Sequence, residues 1–151
     1  MKILIILFTI IVTSYAGIKN TIFPDDSLKW ECKGKRYEEV SLTGYYPEFS
    51  SSEGRRGFLD SRAKKLRTLQ DFLDDRVPYV TIAMDEKLKI PYGTSVCIPE
   101  LNRHYRRRIR FQVRDDGYEL LGTGFSRADI CVRSEVDSYD KAVNEKVTLV
   151  F

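Results

Sequence analysis

Apolar residues in this chain come in short blocks separated by turn-forming residues. Val40 to Tyr46, Tyr79 to Met84, Thr94 to Ile98, Ile109 to Val113, Ala128 to Val132 and Val147 to Phe151 are each rich in Val, Ile or Tyr. Gly, Pro, Asp or Asn bounds them. Branched and aromatic side chains pack well on a pleated surface, so the blocks predict six short β-strands. That many strands with few helices predicts a mainly β fold, a small closed barrel. Two stretches follow a helical pattern instead. Leu66 to Leu73 sets Leu66, Leu69, Gln70 and Leu73 on one side, and Ser138 to Asn144 opens on an N-cap serine. Ser50 to Gly57 reads as a loop. The sequence shows no internal repeat and no low-complexity segment.

The first residues follow another rule. Met1-Lys2 is a short positive region, Ile3 to Val12 is almost unbroken apolar sequence, and Ser14-Tyr15-Ala16 has the small-x-small form of a signal-peptidase site. The apolar run is short for a membrane span. The expectation is a signal peptide over 1–16, an N-terminal extension over 17–39 and a barrel domain over 40–151, in a secreted, extracellular protein. An uncleaved anchor is the alternative. In an oxidising compartment thiols pair. Cys97 and Cys131 both fall inside strand blocks, so a Cys97–Cys131 disulfide is expected, with Cys32 free or linking chains. The cysteines lack metal-site spacing and His104 is the lone histidine, so neither a metal nor another cofactor is expected.

Composition changes the picture little. With 42% hydrophobic and 31% charged residues and a net charge of +3, the chain reads as globular and not disordered. The positive excess is local. Arg103 to Arg110 holds most of it, between two strand blocks, where a hairpin end is expected. It could receive an anionic polymer or simply face water. No specific nucleic-acid partner is expected, and the chain reads as a monomer.

The chemistry-bearing residues gather at strand ends. Asp85 closes the second block, Asp115 and Asp116 follow the fourth, and Asp129 lies in the fifth. Carboxylates crowded at one barrel rim resist joint ionisation, which raises one pKa and makes a general acid near neutral pH. Each aspartate could instead cap a loop through backbone N–H groups.

Four segments, in order, carry a resemblance. VTIAMD (Val80 to Asp85), IPYGTSVCIP (Ile90 to Pro99), VRDDG (Val113 to Gly117) and SRADIC (Ser126 to Cys131) resemble the three-aspartate, or 3D, domain of bacterial cell-wall-remodelling proteins. Upstream, LTGYYPEF (Leu42 to Phe49) is similar to a stretch of the membrane-bound lytic transglycosylase A family. The match covers Tyr79 to Val132 and that upstream segment, about half the chain. The resemblance implies a six-stranded double-psi β-barrel with two short helices as decoration. It implies that Asp129 is the catalytic acid, that Asp115 lies beside it, and that Asp85 buttresses the rim. Asp116 replaces the family's usual Thr. Thr43 and Tyr45 would lie near the sugar groove, with Gly122, Gly124 and Arg127 around a substrate lip.

A lytic transglycosylase needs a single good acid, because a hydroxyl of the substrate is the nucleophile. A glycoside hydrolase generally needs two carboxyl groups at a set separation. The expected activity is cleavage of a β-1,4 glycosidic bond in peptidoglycan, with Asp129 acting as acid and then base. The transglycosylase family has a second domain for which this chain has no room. The alternatives are therefore an expansin-like polysaccharide-binding or wall-loosening module, and a secreted interaction protein using Arg103 to Arg110. Peptidoglycan, chitin and cellulose all remain candidate polymers.

Overall fold

A computed structural model describes residues 30–48 and 55–151. The expected signal segment, the 17–29 part of the expected extension, Phe49 and the Ser50 to Gly54 part of the expected loop lie outside the described residues. All six expected strands form: β1 (Arg36–Tyr45), β2 (Val80–Ala83), β3 (Thr94–Val96), β4 (Phe111–Asp115), β5 (Arg127–Cys131) and β6 (Lys146–Val150). They make one curled, half-barrel sheet in the order β3-β4-β2-β5-β1-β6. Its two edges touch, because Cys97, just past β3, exchanges both backbone hydrogen bonds with Val150 of β6 at 2.9 Å.

The order has an internal symmetry. Adding three to each strand number, with β4 to β6 returning to β1 to β3, gives the same order reversed. The pairing directions obey it too: β1–β5 and β2–β4 are parallel, while β1–β6 and β3–β4 are antiparallel. The core is the inner face of this sheet. Val40, Leu42, Val80, Ile82, Phe111, Ile130 and Leu149 are almost wholly buried there. Burying one such side chain contributes roughly 1.5–3 kcal/mol.

The helices depart from expectation. α1 covers Leu69–Leu73 and starts later than expected, because Thr68 Oγ1 accepts the Asp71 N–H and fixes the N-cap there. Leu66 and Arg67 are used for backbone bonds to Phe58 and Thr81 instead. α2 (Pro99–His104) replaces the expected hairpin end: proline at the first turn preorganises the helix, and the arginine run begins in its last turn. α3 (Glu135–Ser138) takes Ser134 as its cap, and a separate 3-10 turn at Lys141–Val143 is capped by Asp140. The helix expected from Ser138 is thus split in two.

The disulfide expectation is overturned. Cys32 bonds to Cys97, with Cα atoms 5.7 Å apart, and Cys131 is a buried free thiol. The topology explains this. Cys97 lies at the seam beside β3, whereas Cys131 is on β5, three strand steps away in either direction round the sheet. That is roughly 10 Å or more, outside disulfide reach. Asn102, fully buried on α2, backs the seam. Its amide nitrogen contacts the Trp30 carbonyl at 3.1 Å and the Cys97 sulfur at 3.3 Å, and its oxygen accepts the Ile109 N–H. Among the described residues no helix is long and apolar enough to cross a membrane.

Candidate functional site

A bulge builds the site. β2 and β4 run in register from Val80–Phe111 to Ile82–Val113, then slip so that Ala83 faces Asp115 and not Arg114. On its other side Ala83 faces Asp129, which in turn faces Thr43. Asp115, Ala83, Asp129 and Thr43 therefore stand side by side on four adjacent strands. The two acids are two strand spacings apart, ~10 Å between Cα atoms, with only a methyl group between them. Bulges often re-aim a side chain in this way.

Among the described carboxyl groups, Asp115 is the most strongly perturbed. Burial pushes its carboxyl pKa up to about 6, although Tyr45 and the Asp116 N–H stabilise the charged form. The Tyr45 hydroxyl donates to Asp115 Oδ2 at 2.9 Å. Burial also holds the Tyr45 phenol well above its ordinary range, aided by Cys131, Asp115 and Asp129 around it. Cys131 pairs in register with Tyr45, and burial pushes its thiol up strongly. Asp129 is raised as well, mainly by burial, although Arg127 Nε at 3.3 Å from Oδ1 opposes the shift.

Asp85 does something different. Its carboxylate accepts the Lys87 N–H at 3.0 Å and the Gly124 N–H at 2.9 Å. The Gly124 N–H is the main reason its pKa is lowered; burial acts the other way. Asp85 is a buried tie that holds the lip against the rim. Gly124 has φ +59°, a left-handed conformation that a side chain would strain. Gly122 (φ +78°) precedes it on the exposed lip. Arg127 adds a second tie, reaching Glu119 at 3.3 Å as well as Asp129. Asp116 is exposed at the mouth.

Two hollows meet at Asp115. A cleft of about 560 Å³ is bordered by Tyr45, Tyr46, Glu48, Leu59, Asp115 and Asp116. A smaller hollow of about 140 Å³ is bordered by Asp85, Tyr92, Arg114, Asp115 and Asp116. Asp129 borders neither. Gly44 permits the wall nearby, since a Cβ there would meet the Ser138 backbone at 3.1 Å.

The sequence reading missed the group behind the small hollow. Asp60 accepts the Tyr92 hydroxyl at 2.6 Å and Arg114 Nε at 3.3 Å, and Arg114 stacks on Tyr79 and Tyr92. Burial disfavours the Asp60 charge, but Tyr92, two backbone N–H groups and Arg114 outweigh it and its pKa falls. Tyr92 and Arg114 both lie within the motif segments, so their spacing to Asp115 was on view; Asp60 carried no signal. Among the described residues, no three of His, Cys, Asp or Glu are placed to hold a metal ion.

No protein-family model matches this chain, and the search of curated proteins finds no match to it either.

Proposed function

We propose that this is a secreted glycan-active protein that cleaves a β-1,4 bond of a cell-wall polysaccharide, peptidoglycan first among candidates, by lytic transglycosylation. One observation carries the reading: a half-buried carboxyl with pKa about 6, held by a tyrosine, at the edge of a 560 Å³ cleft. Such a group is protonated often enough near pH 6 to act as an acid and basic enough to take a proton back. The cleft position and the larger shift favour Asp115 for this role over Asp129, to which the sequence resemblance gave it.

In the proposed reaction the Asp115 carboxyl gives its proton to the glycosidic oxygen as the C1–O bond breaks. The 6-hydroxyl of the same sugar attacks C1, and its proton returns to the Asp115 carboxylate. No water is consumed, and the product carries a 1,6-anhydro ring. Tyr45 orients the carboxyl, while Asp129, one small residue away, supplies negative potential to the oxocarbenium-like state. The symmetric strand order supports the double-psi form of the barrel, and the Cys32–Cys97 bond fits an oxidising compartment.

The test is incubation with peptidoglycan and mass analysis for anhydro-sugar ends. The wild type should release them. Asp115→Asn should lower the rate by ~10²-fold or more, the scale of a lost acid–base group, with Asp129→Asn less severe. The opposite ranking would return the proton to Asp129. Binding of the polymer with no anhydro product would replace the enzyme with a wall-binding module.

A further inference from the structure

At the far end of β4 from Asp115 lies a second groove, of about 360 Å³, along the seam where the sheet edges meet. Its charged lining residues are Lys33, Arg108 and Arg110; Ser95 and Gln112 add neutral polar groups, and no aspartate or glutamate lines it. Burial alternates along the chain here, with Arg108 and Arg110 exposed while Ile109 and Phe111 are buried. Arg108, Arg110 and Gln112 therefore form a row on one face of an extended segment, in steps of ~6.7 Å. Ser95 stands opposite Gln112 across the β3–β4 pair.

The row is anchored. Arg108 Nη1 donates to the Glu31 carbonyl at 2.7 Å, and the Cys32–Cys97 bond fixes Lys33 beside it. Among the described residues, Lys33, Arg108 and Arg110 form no ion pair. Two other arginines of the cluster are differently employed. Arg107 bonds Asp75 and the Leu73 carbonyl, and Arg103 lies 3.9 Å from Glu100.

We infer that this groove, and not the arginine cluster as a whole, binds a polysaccharide bearing sulfate or phosphate esters. Successive cations in line meet successive anionic groups, while Ser95 and Gln112 bond sugar hydroxyls. The groove offers no row of open aromatic faces; its two aromatic lining residues are Phe111 and Phe151. Phe111 is fully buried, and Phe151 is packed edge-on against Tyr37 and Phe125. Single-stranded nucleic acid needs such faces for stacking, so an anionic glycan fits better. This site is independent of the acid cleft and stands or falls without it.

Binding to immobilised heparin (sulfated), to a phosphomannan (phosphorylated) and to a neutral mannan, each at several salt concentrations, tests the inference. At least one charged glycan should bind and weaken with salt, the neutral one should not, and the stronger of the two identifies the ester. Arg108→Ala with Arg110→Ala should weaken binding about tenfold or more and flatten the salt dependence by about one unit of slope per cation removed. Arg103→Ala with Arg106→Ala removes the same charge outside the groove and should cost less than about twofold. Equal losses in the two double variants overturn the groove. So does tighter binding of a single-stranded oligonucleotide than of either glycan, or no binding to any charged glycan by the folded wild type.

Discussion

The two ends of β4 are built by opposite means. Just before its start, Arg108 and Arg110 face water, and what holds their surroundings is covalent: the Cys32–Cys97 bond, with Asn102 behind it. At its finish, Asp115 is set opposite Ala83 by a bulge, half-buried, and held by hydrogen bonds from Tyr45 and Asp116. An exposed charge needs only a fixed position to attract a partner. A buried charge has its proton affinity changed by the site itself. The same five-residue strand thus presents an end suited to long-range attraction and an end suited to proton transfer.

Removing the covalent tie should have the largest effect and fall on the basic end. Cys32→Ser with Cys97→Ser opens a bond across a sequence separation of 65 residues. It should cost ~2–5 kcal/mol of stability, the usual range for a native disulfide. Urea unfolding of the oxidised wild type and the variant measures it; a loss below ~1 kcal/mol would mean that strand pairing alone closes the seam.

The acid end should respond to pH, and the sign can be fixed. Asp115 has an ordinary value of 3.8 and a folded value of about 6. Between those values the folded protein holds more protons than the unfolded chain, so stability falls as pH rises through that window. About two units correspond to ~3 kcal/mol. Asp115→Asn lacks this loss. Relative to wild type it should gain up to ~3 kcal/mol on going from pH 3 to pH 7. A variant-minus-wild-type difference that does not change with pH would show that Asp115 is not held by burial.

The finest distinction lies in one hydroxyl. Tyr45→Phe removes a donor that favours the charged form of Asp115, so the acid's pKa should rise further. The limb where the cleavage rate falls with rising pH should move up by less than ~1 unit. A downward move would contradict the role assigned to the Tyr45 hydroxyl.

The strands were legible because each is a short apolar block with a turn residue at its end, and that pattern is local. Asp85 is local in only one of its contacts: it accepts the Lys87 N–H two residues on, whereas its bond from Gly124 spans 39 residues. What depends on distant pairing was not legible. The Cys32–Cys97 bond requires the sheet edges to meet, and Asp60 reaches Arg114 across 54 residues. The bulge that chooses Asp115 over Arg114 is a matter of strand register, and Tyr45 approaches Asp115 from 70 residues away. α2 was missed because its apolar side is short, though Pro99 marked its first turn.

The strand order has a consequence for synthesis. Divide the chain between β3 and β4: among the described residues every pairing of the six strands, including the contact that closes the seam, joins a strand from one half to a strand from the other. Neither half can form a single ladder by itself. On the ribosome, β1 to β3 must wait without partners until β4 emerges, and β1 waits longest, for β5. Nascent chains of this kind fold late and expose unpaired strands while they grow. A translation pause placed after β3 should therefore yield aggregation or chaperone capture and not a native-like intermediate.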